Sequence, residues 1–232
     1  MRSIQYSIVI PVFNEEGSLR DLFQEILTVM TPLNALYEIV FVDDRSDDET
    51  PKILKEFQLV LPEIVVIITL PQRSGQTYAL RQGLDKAKGE IVMTLDADLQ
   101  NDPADMPRLI EKMKQGGFDC VCGWRKARQD TPLKAGMSKF GNVMQRAFTG
   151  MKIHDVSCTL RAYRHDCVPR IALNWEGQHR FIPLSLSLQG YKVDEIVSNH
   201  RKRIYGQTKY SHKRVFRVVT DFFKVLKTKG KA

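Results

Sequence analysis

A chain of 232 residues, 43% of them hydrophobic, can bury one substantial core and falls in the upper range for a single domain. Its longest apolar runs, such as SIVIPV and IVVIITL, are far shorter than the roughly eighteen residues a membrane-spanning helix needs. The formal charge of +8, much of it after residue 124 in GWRKAR, HRKRIYGQTKY and SHKR, points to an anionic partner: nucleotide phosphates, nucleic acid or an anionic membrane surface. A solvated basic face would give the same count.

From the N-terminus, YSIVIPV (6–12) is a short buried run and predicts a strand. It enters its apolar stretch almost at once and is broken by NEE with no small-residue cleavage site, so no secretory signal is expected and a cytoplasmic location follows. Leu19, Leu22, Phe23, Ile26, Leu27 and Met30 then fall on one helical face. YEIVFVDD (37–44) repeats the strand signal, and DETPKILKEF opens a second helix with acidic residues and a proline, Ile53, Leu54 and Phe57 forming its stripe. A third strand, IVVIITL (64–70), precedes a helix over 77–88. A fourth, EIVMTLD (90–96), precedes a helix opened by NDP, with Asp102 as N-cap and Pro103 at the first helical position. Four strand–helix units predict an α/β fold with a parallel sheet covered on both faces.

Cys120 and Cys122 lie two apart in a strand-like stretch, and Cys158 and Cys167 stand alone; this is neither a zinc spacing nor a disulfide framework, so reduced thiols are expected. After residue 124 the pattern loosens. Helical character is expected over 133–148, an irregular segment through HDVSCTLRAYR, a strand in YKVDEI (191–196), and a basic amphipathic helix from about 212.

Ligands of open α/β sheets sit at the carboxyl ends of the strands. Polar clusters occupy those places: Asn14-Glu15-Glu16, Asp43-Asp44, Arg73 to Gln76, and Asp96-Ala97-Asp98. Asp96 and Asp98 project the same way if extended geometry persists past Leu95, and paired oxygen ligands suit Mg²⁺ or Mn²⁺ completed by water and phosphate. The alternative is that both are turn formers before the helix. The first strand leads into PVFNEEGS, not G-x-G-x-x-G, and no P-loop is present, so dinucleotide binding is disfavoured. A nucleotide diphosphate held through a metal remains.

These motifs together, SIVIPVFNEE, EIVFVDDRSDDET, RSGQTYALRQGLDKAKGEIVMTLDADLQNDP, DVSCTLRAYR and RIYGQTKY, resemble the GT-A-fold glycosyltransferases of family 2, and within them the polyprenyl-phosphate sugar transferases. The resemblance implies one GT-A domain over 1–232, with a nucleotide-sugar half (1–124), an acceptor-side region (125–211) and the amphipathic helix (212–232). It implies that Pro11, Glu15 and Asp43 or Asp44 contact the nucleoside, that Asp96 and Asp98 hold Mg²⁺ or Mn²⁺, and that Gln100 joins them. Arg125, Lys134 with Ser138, and Arg203 with Lys209 would bind donor and acceptor phosphates. Lys134 and Ser138, four apart, share a helix face, which lets an ammonium and a hydroxyl grip one phosphate.

Three departures stand out. Lys134 replaces an arginine common in relatives and gives up bidentate geometry, Arg45 stands where relatives usually carry Gly or Asn, and the C-terminal membrane spans of many bacterial relatives are not expected here. Metal-dependent, inverting transfer of a hexose from a GDP- or UDP-sugar to a dolichyl or undecaprenyl phosphate is therefore expected, at the cytoplasmic face of a membrane. Glu176 in NWEGQHRFIP is a candidate base for a rival reading, transfer to a saccharide or protein hydroxyl. Nucleic-acid binding rests on charge alone and has no reading motif. The stripe of Val215, Phe216, Val218, Val219, Phe222, Phe223, Val225 and Leu226 suits either a helix in an anionic membrane interface, with or without a membrane-embedded partner, or one packed on the core or on a partner subunit.

Overall fold

The computed structural model describes residues 3–126, 153–203 and 220–226. The chain opens with β1 (Tyr6–Val12), α1 (Leu19–Met30), β2 (Tyr37–Asp43) and α2 (Thr50–Val60). It continues through β3 (Val65–Thr69), α3 (Gln76–Lys86), β4 (Ile91–Thr94), α4 (Met106–Gly116) and β5 (Cys120–Trp124). β6 (Arg161–Arg164), α5 (Ile182–Leu188) and β7 (Val193–Val197) complete one seven-stranded sheet, ordered β3-β2-β1-β4-β6-β5-β7.

β1 to β4 are mutually parallel, as four strand–helix units require. Alternation within each strand builds two cores. Ile8, Ile10, Ile39 and Phe41 point to the face covered by α1, α2 and α4, where Phe23 stacks on Phe57 with ring centroids 4.0 Å apart. Val9, Val40 and Val42 point to the opposite face, under α3 and α5. Gly83 lets α3 approach this face closely, because a Cβ there would lie 2.3 Å from Val9 Cγ1 and 2.9 Å from Val42 Cγ2. Both neighbours are fixed in fully buried strands. Gly83→Ala is therefore expected to lower stability by about 1–3 kcal/mol through overpacking, read as a fall in urea midpoint at constant slope.

Several expectations shift. β4 ends at Thr94, not Asp96, so the carboxylate pair sits beyond the strand, and Leu99 at φ 59° turns the chain just after it. The NDP signal acts as expected at its start: Asp102 accepts from Ala104 N at 3.0 Å, but a 3₁₀ turn over Pro103–Asp105 precedes α4.

The segment read as irregular supplies β6, antiparallel between β4 and β5, so the sheet is mixed. Its signal was hidden because the inward residue is an arginine. Arg161 is 1% exposed and donates to the carbonyls of His179 at 2.7 Å and Val156 at 2.8 Å. β7 pairs parallel with β5 at the sheet edge.

All four cysteines are free and buried. The helix expected over 133–148, with Lys134 and Ser138, lies outside the described residues, as do Lys209 and 212–219. Residues 220–226 are helical, and this part packs on the protein itself. Val225 is 1% exposed in a cluster with Ile153, Val156, Phe181 and Leu184, and Phe222 meets Phe181 with ring centroids 6.4 Å apart.

Candidate active site

Four loops converge at the carboxyl edge of β1 to β4, and side-chain hydrogen bonds stitch them together. Asn14 N donates to Ser46 Oγ at 3.0 Å and Asn14 Nδ2 to Asp47 Oδ1 at 2.6 Å, while Glu15 N donates to Thr50 Oγ1 at 2.9 Å. These bonds tie the β1 loop to the β2 loop. Asp44 then accepts from Ser74 N at 2.6 Å and Gly75 N at 2.8 Å, fixing the β3 loop. Gln76, next in sequence, donates through Nε2 to Asp96 Oδ1 at 2.7 Å. Thr159, just before β6, donates to Asp96 Oδ2 at 2.8 Å from the other side.

Asn14, Arg45 and Leu99 in these loops adopt left-handed backbone angles, with φ of 54°, 64° and 59°. That conformation explains why a glycine or asparagine suits position 45, and an arginine held there carries about 1–2 kcal/mol of strain.

The carboxylates are crowded. Burial and then the neighbouring Asp98 push the Asp96 carboxyl up to about 6, against a hydroxyl bond from Thr159 and the fields of Arg125 and Arg161. Glu15 is raised by burial and also by Asp98 and Asp96, which shows that the β1 loop faces the same point. Its Oε2 accepts from Ser18 Oγ at 2.8 Å. Pro11 lines a narrow cleft with Gln76, Thr94, Asp96, Thr159, Arg161 and His179. Asp43, 1% exposed, spends Oδ1 on Ser46 N at 3.0 Å, so its carboxylate braces the loop from inside.

Asp98 Oδ1 accepts from Gln100 N at 3.1 Å, so Gln100 joins the pair through its backbone. Asp98 Oδ2 is paired with Arg203 Nη2. The described residues contain no cluster of three or more His, Cys, Asp or Glu that would enclose a metal. The Asp96 and Asp98 carboxylates, close enough for Asp98 to raise the Asp96 carboxyl, still fit a divalent cation of the Mg²⁺ or Mn²⁺ kind, which would take water and phosphate oxygens as well.

Arg125, at the end of β5, is aimed by a bidentate pair with Asp155, Nε to Oδ2 at 2.6 Å and Nη2 to Oδ1 at 2.9 Å. Nη2 also reaches Ser157 Oγ at 2.9 Å. Arg125 and Asp96 lie within each other's field. Glu176 is placed differently from a base. Its Oε2 accepts from Thr77 N at 3.1 Å, in the first turn of α3, and packs over Gly75, where a Cβ would meet it at 2.5 Å.

Sequence reasoning thus brought Pro11, Glu15, Asp44, Asp96, Asp98, Gln100, Arg125 and Arg203 to one edge. It placed Gln76 at that edge without its contact to Asp96, and it missed Thr159 and Asp155, which orient Asp96 and Arg125. Asp155 lies thirty residues beyond Arg125, and no local pattern links the two.

Comparison with known proteins agrees with this geometry. Residues 7–171 match the glycosyl transferase family 2 model. The chain is 33% identical over 229 residues to the dodecaprenyl-phosphate galacturonate synthase of Rhizobium johnstonii, covering 97% of this chain and 68% of that protein. It is 36% identical over 222 residues to the undecaprenyl-phosphate 4-deoxy-4-formamido-L-arabinose transferase of Proteus mirabilis, covering 96% and 68%.

Among solved structures, a mannosyltransferase of Pyrobaculum calidifontis in complex with GDP-Man and Mn²⁺ superposes with a TM-score of 0.72 at 18% identity, covering 97% of this chain and 65% of that one. The Mycobacterium tuberculosis glucosyl-3-phosphoglycerate synthase, bound to Mn²⁺, UDP-Glc and phosphoglyceric acid, gives 0.70 at 17% identity, covering 96% and 79%. At those identities the likeness is one of fold, and the fold is GT-A. The chain belongs to glycosyl transferase family 2, and it is a glycosyltransferase.

Proposed function

We propose that this enzyme transfers a sugar from a nucleotide diphosphate donor to a polyprenyl phosphate, with inversion and with a divalent cation at Asp96 and Asp98. The observation that carries the reading is the carboxylate pair at the sheet edge with Arg125 and Arg203 around it. A bound Mg²⁺ or Mn²⁺ would supply charge neutralisation to the departing diphosphate. Arg125, held in one orientation by Asp155, adds a fixed positive charge beside Asp96 for the same developing charge. Pro11, Glu15, Asp43 and Asp44 frame the nucleoside, and Arg203 faces the acceptor phosphate, with Lys134, Ser138 and Lys209 assigned the same task from sequence.

A phosphate monoester is already anionic at neutral pH, so its oxygen can attack the anomeric carbon without losing a proton. The new carbon–oxygen bond forms as the bond to the diphosphate breaks, and the electron pair leaves with the diphosphate. An α-linked donor then gives a β-linked lipid product. The two relatives act on polyprenyl phosphates by name, which supports this acceptor class. No helix among the described residues is long and apolar enough to cross a membrane. We place the enzyme peripherally at the cytoplasmic face, drawn by its basic C-terminal half to anionic lipid.

The test is transfer from radiolabelled GDP- and UDP-sugars to a short polyprenyl phosphate or to a methyl saccharide, with Mn²⁺ or excess EDTA. Lipid-phosphate product that disappears with EDTA is expected; product on the saccharide alone overturns the reading. Glu176 separates the same two acceptors. Glu176→Gln keeps an oxygen for Thr77 N, so turnover is expected to stay within about threefold, whereas loss of a true base would cost about 100-fold or more.

A further inference from the structure

Arg203 has a position that phosphate binding alone does not explain. Its guanidinium reaches Asp98 Oδ2 and is 32% exposed, while the Asp98 side chain is 9% exposed. The segment leading to it is bolted along the loop that follows the carboxylate pair. Asn199 N donates to Asp105 Oδ2 at 2.6 Å, Asn199 Nδ2 to Asp102 Oδ2 at 2.9 Å, and Arg201 N to Gln100 O at 2.8 Å. Arg201 is held by two carboxylates, Glu25 at 2.8 Å and Asp102 at 2.7 Å. Among the described residues Arg203 makes one salt bridge, to Asp98, which is half of the cation site, and Glu15 of the β1 loop lies in its field. One arginine of the segment is thus anchored, and the next but one is exchangeable.

We propose that Arg203 is the counter-ion of Asp98 which the divalent cation must displace, and that the released guanidinium is then the one available to the acceptor phosphate. Like charges repel, so a guanidinium and a divalent cation cannot both sit tightly against one carboxylate oxygen. Before the metal arrives, Arg203 relieves the repulsion between Asp96 and Asp98. Once the metal takes that role, Arg203 loses its anion at a part-exposed site while Arg201 keeps its base fixed. The exchange orders binding: metal with donor first, acceptor phosphate second. This rests on the cation-site and phosphate assignments proposed above.

The probe is Mn²⁺ alone, titrated into the full chain without nucleotide and followed by the loss of the free-ion paramagnetic resonance signal. Arg203→Gln is expected to bind Mn²⁺ about tenfold tighter than wild type, the scale of one part-buried ion pair. Arg203→Lys keeps the charge but loses the fork, and should fall between them. A general charge effect would leave Arg203→Lys at the wild-type value and would overturn the exchange.

The reverse arm uses a short-chain isoprenyl phosphate without metal. Asp98→Asn, which frees Arg203, should bind it tighter than wild type, and adding Arg203→Gln should remove the gain. Equal Mn²⁺ affinity in wild type and Arg203→Gln overturns the exchange while leaving the cation site standing. No Mn²⁺ binding by either protein overturns both.

Discussion

Asp96→Asn should lower sugar transfer by about a hundredfold or more and, at the same time, raise the melting temperature of the metal-free protein at neutral pH. The two effects share one cause. In the folded chain the Asp96 carboxyl is raised from 3.8 to about 6, first by burial and then by Asp98. A carboxyl raised on folding binds its proton more tightly in the native state than in the unfolded one. Stability therefore falls as pH rises from about 4 to about 6, and the full penalty is present above that window.

An asparagine keeps the shape, accepts from Gln76 through its one oxygen and turns its amide towards the Thr159 hydroxyl, which can accept, but it carries no charge to desolvate. The gain in stability should thus appear at pH 7.5 and vanish at about pH 3, where wild-type Asp96 is protonated in both states. Paired thermal scans at the two values check it. Mn²⁺ with a nucleoside diphosphate should raise the wild-type melting temperature and leave the variant's unchanged, because a ligand stabilises only the state that binds it. A variant less stable than wild type at pH 7.5 would mean that the hydrogen bonds of Asp96 outweigh its charge penalty.

Much of this arrangement was legible in the chain. β1 to β4 declare themselves because a strand buried on both faces must be apolar throughout, and α1 and α2 because their stripes repeat at helical spacing. Asp44 and Asp96 close the second and fourth runs and Glu15 follows the first, and because a parallel sheet sends the same end of each strand to one edge, they had to meet there. What failed was physics that a linear pattern does not carry. Arg161 reads as a surface residue, yet it is fully buried because two separate segments turn carbonyls towards it, so β6 escaped notice.

Glu176 reads as a candidate base only by its place in NWEGQHRFIP. In the fold it satisfies an amide of α3 ninety-nine residues away. The part of the C-terminal helix at 220–226 reads equally as membrane foot or core, and its burial shows core. Orienting contacts such as Gln76 to Asp96 depend on where separate loops cross, which spacing within one loop cannot encode.

Asp155→Ala should be the most destabilising change at the site, costing about 3–5 kcal/mol in urea unfolding. Arg125 and Asp155 are 12% and 10% exposed in their side chains, and two parallel hydrogen bonds join them. Removing the carboxylate leaves a guanidinium that cannot shed its charge and has little water around it, which is the costly half of breaking a buried pair. Activity should fall as well, because a guanidinium released from Asp155 still has the Asp96 carboxylate in its field and would be drawn towards the cation site.

Stability and catalysis separate in the double variant Arg125→Met with Asp155→Leu. Replacing both partners by apolar side chains of similar bulk leaves no orphaned charge, so most of the lost stability should return. Transfer should not return, since the positive charge for the leaving diphosphate is gone. If the double variant regains activity along with stability, Arg125 serves the fold alone. If Asp155→Ala costs under about 1 kcal/mol, the pair is hydrated in solution and Arg125 is free to move without it.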